Sequence, residues 1–523
     1  MKSNARVVLV LSGILLLGAL LRALYLSEAR EDAYFLSPGL DGTYHNYWVD
    51  CIARGDTSPP AGDDDPEISR HPYFRPPGYP YFLALAGLGG HGGPMAFRIA
   101  QMALGLASVA LLYLLGRRIF GSPVGLIAAA FAAISWVLIY FECELLDPPL
   151  LIALTLLLLY ALTGWCAHRR ISAALASGIL LGLCALTRPN ILLFGAVVPV
   201  WMWWCCRRAG SSPLAVLAPA AAFLVGAAAT IAPATIRNYA VAREFVAISA
   251  NAGINLHFGN HEFADGYSAS SPEVGAWSCF DYPRIVRDLE RREGRPLGYS
   301  GASTVFARMA ARYAREHPGH VARLLARKTA LFWGPAEIGN NKEYYYDRLN
   351  SRILRFLPFE FPHLLTLALI GFLIYVRGMR AAPGSDGGRK DAVGILVIFV
   401  LAYFLSYLPF IVAGRYRAPI LPVLFLFAAF AVQGFAGLIR KKALLEAGAW
   451  LAAAAVILVA ASVNWGGYAP DRARWHYERG LARVRVGQIT EGIAEFDEAR
   501  KIRQRYRAEP GNSPSMLMPA NVM

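Results

Sequence analysis

Charge is scarce in this chain. Of its 523 residues only 17% are Asp, Glu, Lys or Arg, 56% are hydrophobic, and the mean hydropathy is +0.39. A soluble domain of this size could not keep that balance in solution, which excludes an ordinary water-soluble enzyme. Cysteine is sparse and unpatterned. Cys51, Cys143, Cys166, Cys184, Cys205, Cys206 and Cys279 show no metal-ligand spacing, and several lie inside apolar runs, as small hydrophobes do. No HExxH, Walker loop or GxSxG occurs, which argues against zincins, ATPases and α/β-hydrolases. Two related halves with ionisable groups at mid-membrane, the pattern of a secondary transporter, are also missing.

What is present is a series of apolar runs, each long enough to cross a hydrocarbon core that needs roughly 20 helical residues. They fall at about 7–26, 96–115, 123–141, 148–166, 171–187, 190–206, 213–235, 361–376, 393–412, 418–438 and 445–464. The expected fold is therefore an all-α polytopic membrane protein of about eleven transmembrane helices. The pair 171–187 and 190–206, joined by Thr187-Arg188-Pro189-Asn190, reads either as two spans or as a re-entrant hairpin. Lys2 and Arg6 precede the first run, which would end as a signal peptide near Ser27-Glu28-Ala29, but its apolar stretch is longer than a usual signal and suits an uncleaved span.

A net charge of +15 would suggest nucleic acid in a soluble protein, but here the bases cluster between apolar runs. Arg117/Arg118, Arg169/Arg170, Arg207/Arg208, Arg377/Arg380/Arg389/Lys390 and Arg440/Lys441/Lys442 occupy every second gap, as the positive-inside rule requires of cytoplasmic loops. This parity puts the N-terminus inside and two long segments, 27–95 and 236–360, outside. The first carries Asp41, Asp50, Asp56 and the run Asp63-Asp64-Asp65. The second contains a strand-like Glu244–Ser249, turn-prone Asn251, Gly253, Asn255, Gly259 and Asn260, and an amphipathic helix from His320 to Trp333 whose Arg323, Arg327 and Lys328 suit lipid phosphates. Cys51 and Cys279 both fall outside, where they could pair. The domains expected are a transmembrane domain over residues 1–465, a helical tail at 466–508 with Gly480, Gly487, Phe496 and Ala499 near tetratricopeptide positions, and a disordered end at 509–523. A solitary repeat cannot bury its own face, so the tail should pack on the main body or on a partner protein.

Four segments put acids or arginines at the outer face, where the head group of a lipid-linked substrate would sit. Asp41-Gly42-Thr43-Tyr44-His45 offers a carboxylate as general base, or is an ordinary loop acid. His71-Pro72-Tyr73-Phe74-Arg75-Pro76-Pro77 fixes the backbone around an arginine suited to a phosphate, or is a plain Pro-rich turn with a snorkelling arginine. Glu142-Cys143-Glu144-Leu145-Leu146-Asp147 holds three acids at the junction of two spans, with Asp147 before Pro148-Pro149 also a candidate N-cap. Gly414-Arg415-Tyr416-Arg417 puts two arginines outside, against the positive-inside trend, for an anionic ligand or a structural salt bridge.

Through these residues, together with Arg237-Asn238-Tyr239 to Gly259-Asn260, the chain resembles the GT-C superfamily of polyprenyl-phosphate-sugar-dependent glycosyltransferases. The branch is that of the protein O-mannosyltransferases and the lipid A aminoarabinose transferase, and the resemblance covers about residues 1–465. It implies that Asp41 matches the first-loop acid that activates or binds the acceptor hydroxyl. It further implies that Asp147, or Glu144 one helical turn earlier, matches the second-loop acid, that Arg75 faces the donor phosphate, and that Arg415 or Arg417 stabilises the leaving polyprenyl phosphate. The tetratricopeptide-like tail departs from the core family. No metal is required if arginines neutralise the phosphate, although an Asp/Glu cluster could hold a divalent ion.

The function expected is transfer of a hexosyl or pentosyl unit from a polyprenyl-phosphate donor to an unidentified lipid, glycan or protein acceptor at the outer face of an inner membrane. Tyr44, His71, Asn251, Asn255, Asn260 and Trp277 are candidate sugar or acceptor contacts, the asparagines beside glycines also being turn residues. The rival readings are a secondary transporter or lipid flippase, and a scaffold whose tail recruits a partner.

Overall fold

The computed structural model describes residues 2–55, 68, 70–87, 93–210, 212–275, 277–381 and 387–508. Asp56, Asp63, Asp64, Asp65 and the 509–523 ending lie outside them. Among the described residues there is no strand, and nine helices are long and apolar enough to cross a membrane. These are Ala5–Ala29, Gly93–Phe120, Pro148–His168, Pro189–Arg208, Leu214–Ala242, Phe361–Met379, Gly387–Tyr407, Gly414–Arg440 and Leu444–Ser462.

The two remaining expected spans take other forms. The run near 123–141 is a helix pair, Ser122–Ala133 and Trp136–Cys143, bent by 53° at its break. Arg22 of the first helix donates to the Ala133 carbonyl, one of those the break deprives of helical partners, and its guanidinium pairs with Glu142 at 2.5 and 2.7 Å. Residues Ile171–Thr187 form a helix of 17 residues, about 26 Å long and slightly short of a hydrocarbon core. Its end is set by sequence: Arg188 precedes Pro189, which disfavours helical backbone, and stands extended at φ −154°, ψ 104°.

Ion pairs tie the helices together at one end of the bundle. There Asp391 meets Arg169 at 3.8 Å and Arg208 at 3.3 Å, and Arg377 meets Glu446 at 3.4 Å. At the other end the two long segments fold together around a second core containing Tyr44, Trp48, Tyr73, Phe74, Phe258 and Tyr282. The buried Asn238 side chain knits them, accepting from the Tyr73 amide at 2.9 Å and donating to the Val246 and Ile248 carbonyls at 3.0 and 3.1 Å. The stretch Glu244–Ser249 is thus no strand: it bends at Ala247 and Ile248 and has a side-chain amide for a partner.

Two further expectations are corrected here. The helix Pro318–Trp333 does not offer Lys328 to lipid: the residue is fully buried and donates to the Gly259 and Leu408 carbonyls at 2.7 and 3.1 Å. Cys51 and Cys279 are not joined by a disulfide. The tail forms the helices Arg472–Arg485 and Ile489–Ala508 and packs on the long loops of its own chain. Trp475 donates to Asp347 at 2.8 Å, and Arg479 meets Asp32 at 2.8 Å.

Candidate active site

Asp41 stands in the first turn of the helix Leu40–Arg54, two residues after the N-cap Gly39, whose φ of +79° a side chain would resist. Its carboxylate is buried between two arginines from distant segments, Arg75 at 2.6 Å on Oδ1 and Arg415 at 2.6 Å on Oδ2. The Cys279 thiol also approaches Oδ1, at 3.7 Å. Burial alone would raise the Asp41 pKa, but Arg75 and Arg415 outweigh it and hold the carboxyl far below the usual carboxylate range. Arg75 is brought in by the Pro76-Pro77 turn. The next residue, Gly78, lies so close to the Leu186–Thr187 backbone that a Cβ would sit 2.8 Å from Leu186. This approach sets the Arg75 turn against the Arg188 linker.

Arg188 supplies the second half of the site. Its guanidinium grips Asp147 through two bonds, 2.7 Å to Oδ2 and 2.5 Å to Oδ1, and donates to the Tyr407 hydroxyl at 3.2 Å. Burial by itself would raise the Asp147 pKa, and Arg188 more than reverses this, so the carboxyl stays below its ordinary value. Tyr416 joins the halves: Arg188 lies over its ring at 4.6 Å, Arg415 donates to its hydroxyl at 3.1 Å, and Tyr407 stacks on it at 4.9 Å. His45, one turn after Asp41, packs edge-on to Tyr79 at 4.9 Å with its Nδ1 unpartnered. Burial, reinforced by Arg75, drives its pKa down to about 3, so it is neutral.

The structure therefore gathers Asp41, Arg75, Arg415 and Asp147 and separates the others. Glu144 is not one helical turn from Asp147 on a shared face, because its backbone is extended at ψ 145°; it pairs with Lys342 at 2.7 Å instead. Arg417 points the opposite way from Arg415, and is spent on the carbonyls of Phe332 and Gly334, at 3.2 and 2.7 Å, and on Glu337 at 2.5 Å. It is a structural salt bridge, as one of the two alternatives had it. Asp147 makes no side-chain cap bond at the helix it precedes. Tyr44 is buried among Trp48 and Phe280, at ring distances of 5.9 and 5.4 Å. His71 stacks on Tyr299 at 4.5 Å, and its carbonyl accepts from Arg237 at 2.6 Å.

The other candidate sugar contacts serve the loops. Asn251 accepts from Ser249 at 3.1 Å, Asn255 lies half-buried in the short helix Ala252–Phe258, Asn260 donates to Pro409 at 2.6 Å, and the Trp277 indole donates to Ala269 at 2.8 Å. Among the described residues no three His, Cys, Asp or Glu side chains are arranged to hold a metal. Both Asp41 oxygens are already taken by guanidinium groups, so the residues do not fit a divalent ion. Sequence reasoning missed Arg188 and Tyr416 as site residues. The signal for Arg188 was there, an arginine outside against the charge trend, the one that drew attention to Arg415.

Residues 74–232 match the family described as dolichyl-phosphate-mannose-protein mannosyltransferase. The matched stretch is under a third of the chain and contains Arg75, Asp147 and Arg188 but neither Asp41 nor Arg415. No curated protein matches the chain. Among solved structures it is similar to the oligosaccharyltransferase AglB from Archaeoglobus fulgidus, in complex with an inhibitory peptide and a dolichol-phosphate, at 16% identity and TM-score 0.43. That alignment covers 92% of this chain and 56% of the archaeal one, so the chain spans little more than half its length. It is also similar to ArnT from Cupriavidus metallidurans bound to undecaprenyl phosphate, at 14% identity and TM-score 0.40, covering 93% of this chain and 75% of that one. The resemblance to the GT-C superfamily rests on the family match over residues 74–232.

Proposed function

We propose that the protein transfers a hexosyl or pentosyl unit from a polyprenyl-phosphate donor to a lipid, glycan or protein acceptor at the end of the bundle bearing the long loops, the extracytoplasmic face of an inner membrane. The observation that carries this reading is one carboxylate, Asp41, held at 2.6 Å by each of two arginines at the membrane edge. In a single displacement the acceptor oxygen bonds to the anomeric carbon while the bond from that carbon to the phosphate oxygen breaks. The configuration inverts, the acceptor proton passes to a carboxylate, and the phosphate leaves with the bonding electrons. Arginines stabilise that charge as it develops.

Held by both guanidinium groups, Asp41 is too acidic to accept a proton. A donor phosphate that takes Arg75 or Arg415 removes counter-charge from the carboxylate and raises its basicity only when the site is loaded. Asp147 and Arg188 repeat the arrangement one arginine to one acid, and Tyr416 links the two sets.

The rival transporter reading needs open ionisable groups within the spans. One buried pair there, Arg22 with Glu142, is closed by the Gly18 and Ala133 carbonyls at 3.1 and 3.2 Å. The test is release of labelled sugar from a panel of polyprenyl-phosphate sugars by the full chain in lipid, wild type beside Asp41→Asn, with a membrane extract supplying acceptors. Transfer lost in a folded Asp41→Asn protein is the expected result; no transfer from any donor sinks the proposal in favour of the transporter or scaffold.

A further inference from the structure

A cavity of about 180 Å³ lies where the tail hairpin closes on the first helix end, the second outer junction and the second long loop. Its wall is charged and on balance acidic, with Glu28, Asp32, Glu144 and Asp347 against Arg98, Lys342 and Arg479. Asp32 meets Arg479 at 2.8 Å and Glu144 meets Lys342 at 2.7 Å. Glu28 accepts from the Ser351 hydroxyl at 2.9 Å, and Asp347 accepts from the Tyr140 hydroxyl at 2.7 Å and the Trp475 indole at 2.8 Å. An incoming anion would meet this excess of acid or have to break the Asp32–Arg479 or Glu144–Lys342 pair, which is costly at such depth. An uncharged polyol breaks none: carboxylate oxygens with spare lone pairs accept from its hydroxyls while tyrosine rings cover its C–H faces. Tyr34 also forms part of the wall; it is 7% exposed and its hydroxyl has no partner.

We propose that this cavity binds an uncharged sugar unit, and that the unit belongs to the acceptor. The second clause rests on the glycosyl-transfer reading; the first does not. The cavity adjoins the Asp41 site through Tyr344, whose ring packs on Tyr140 and Phe141 at 5.3 Å each, and which feels the charges of Arg415, Glu144 and Asp41. Glu144 forms part of the cavity wall, and Asp147 of the candidate site follows it by one short loop.

The experiment is saturation-transfer NMR on the full chain in lipid nanodiscs with four neutral probes, glucose, mannose, galactose and N-acetylglucosamine, and with glucuronate and glucose 6-phosphate as charged ones. Ala29→Phe puts a ring into the cavity from its wall. Tyr34→Phe removes only the unpartnered hydroxyl, so it forfeits no internal hydrogen bond and keeps the fold. The expected result is saturation of at least one neutral sugar and of neither charged probe, retained by Asp41→Asn, abolished by Ala29→Phe and weakened roughly fivefold by Tyr34→Phe. Absence of saturation with all four neutral sugars, or saturation indifferent to both cavity variants, overturns the proposal. If donor-sugar release fails while this pattern holds, the transfer reading falls and the sugar site stands.

Discussion

Asp41→Asn should lower stability and raise affinity for the product lipid while abolishing transfer. The amide keeps the shape and one acceptor oxygen but removes the charge that lies 2.6 Å from both Arg75 and Arg415. Their side chains are 20% and 5% exposed, so two cations are left with little water and no counter-ion. Breaking a buried pair by deleting one partner costs ~3–5 kcal/mol; the residual oxygen and the partial exposure of Arg75 put this case near the lower bound. The freed guanidinium groups no longer divide themselves between Asp41 and a phosphate. A charge-assisted hydrogen bond is worth ~1.5–3 kcal/mol, so polyprenyl phosphate should bind about ten- to a hundredfold more tightly. Thermal unfolding in nanodiscs with and without polyprenyl phosphate reads both effects, because a ligand of the folded state raises Tm by mass action. The apo variant should melt below wild type and gain more from the lipid. A variant that binds the lipid no more tightly than wild type, or still transfers sugar, would refute the competition between Asp41 and the donor.

Arg188→Ala leaves Asp147 buried and unpaired and should cost ~3–4 kcal/mol, most of it recovered by Asp147→Asn/Arg188→Met, read by denaturation in lipid; a double variant as unstable as the single one would place the loss elsewhere. His45 is neutral in the fold, with its pKa near 3 against 6.5 for the free side chain, so below pH 6.5 the unfolded chain binds the extra proton. Its contribution is therefore flat above pH 6.5 and falls by ~1.4 kcal/mol per unit as pH drops towards 3. His45→Gln should flatten the decline of Tm between pH 6.5 and 4.5, and identical slopes in both proteins would contradict this. Trp475→Phe keeps an aromatic ring against Tyr346 but loses the 2.8 Å bond to Asp347, loosening the tail by ~1–2 kcal/mol. Limited proteolysis should cut the hairpin faster, whereas an unchanged rate would mean that the tail is anchored by other contacts.

The bundle was legible because a hydrocarbon core accepts only long apolar helices, and this constraint is written residue by residue in the chain. Some of the site was legible for a related reason: charge at a membrane edge is expensive, so Asp41, Arg75, Asp147 and Arg415 stood out individually. Pairing was not legible. Arg415 and Arg417 are two residues apart on one turn, and nothing local says that the first reaches Asp41 while the second is consumed by carbonyls from 332–336. Glu144 and Asp147 seemed one turn apart, but the loop between two helices is extended at Glu144, and the pair diverges. Lys328 has the spacing of an amphipathic face, yet the loop core folded over that face and made it an interior donor. Arg188 was read for topology, although the proline after it fixes the extended backbone that aims it at Asp147.

The stretch from Glu142 to Asp147 also bears on how the chain is assembled as it emerges. Its three acids find bases at very different sequence distances: Glu142 reaches back 120 residues to Arg22, Asp147 forward 41 to Arg188, and Glu144 forward 198 to Lys342. A chain inserted from its N-terminus can close the first pair once the bent helix pair enters, and the second after the Ile171–Thr187 helix. Glu144 must wait until the second long loop has been made, because Lys342 lies in it. Until then the Glu142–Asp147 junction has two of its three ion pairs, and the second long loop brings the base that closes the third.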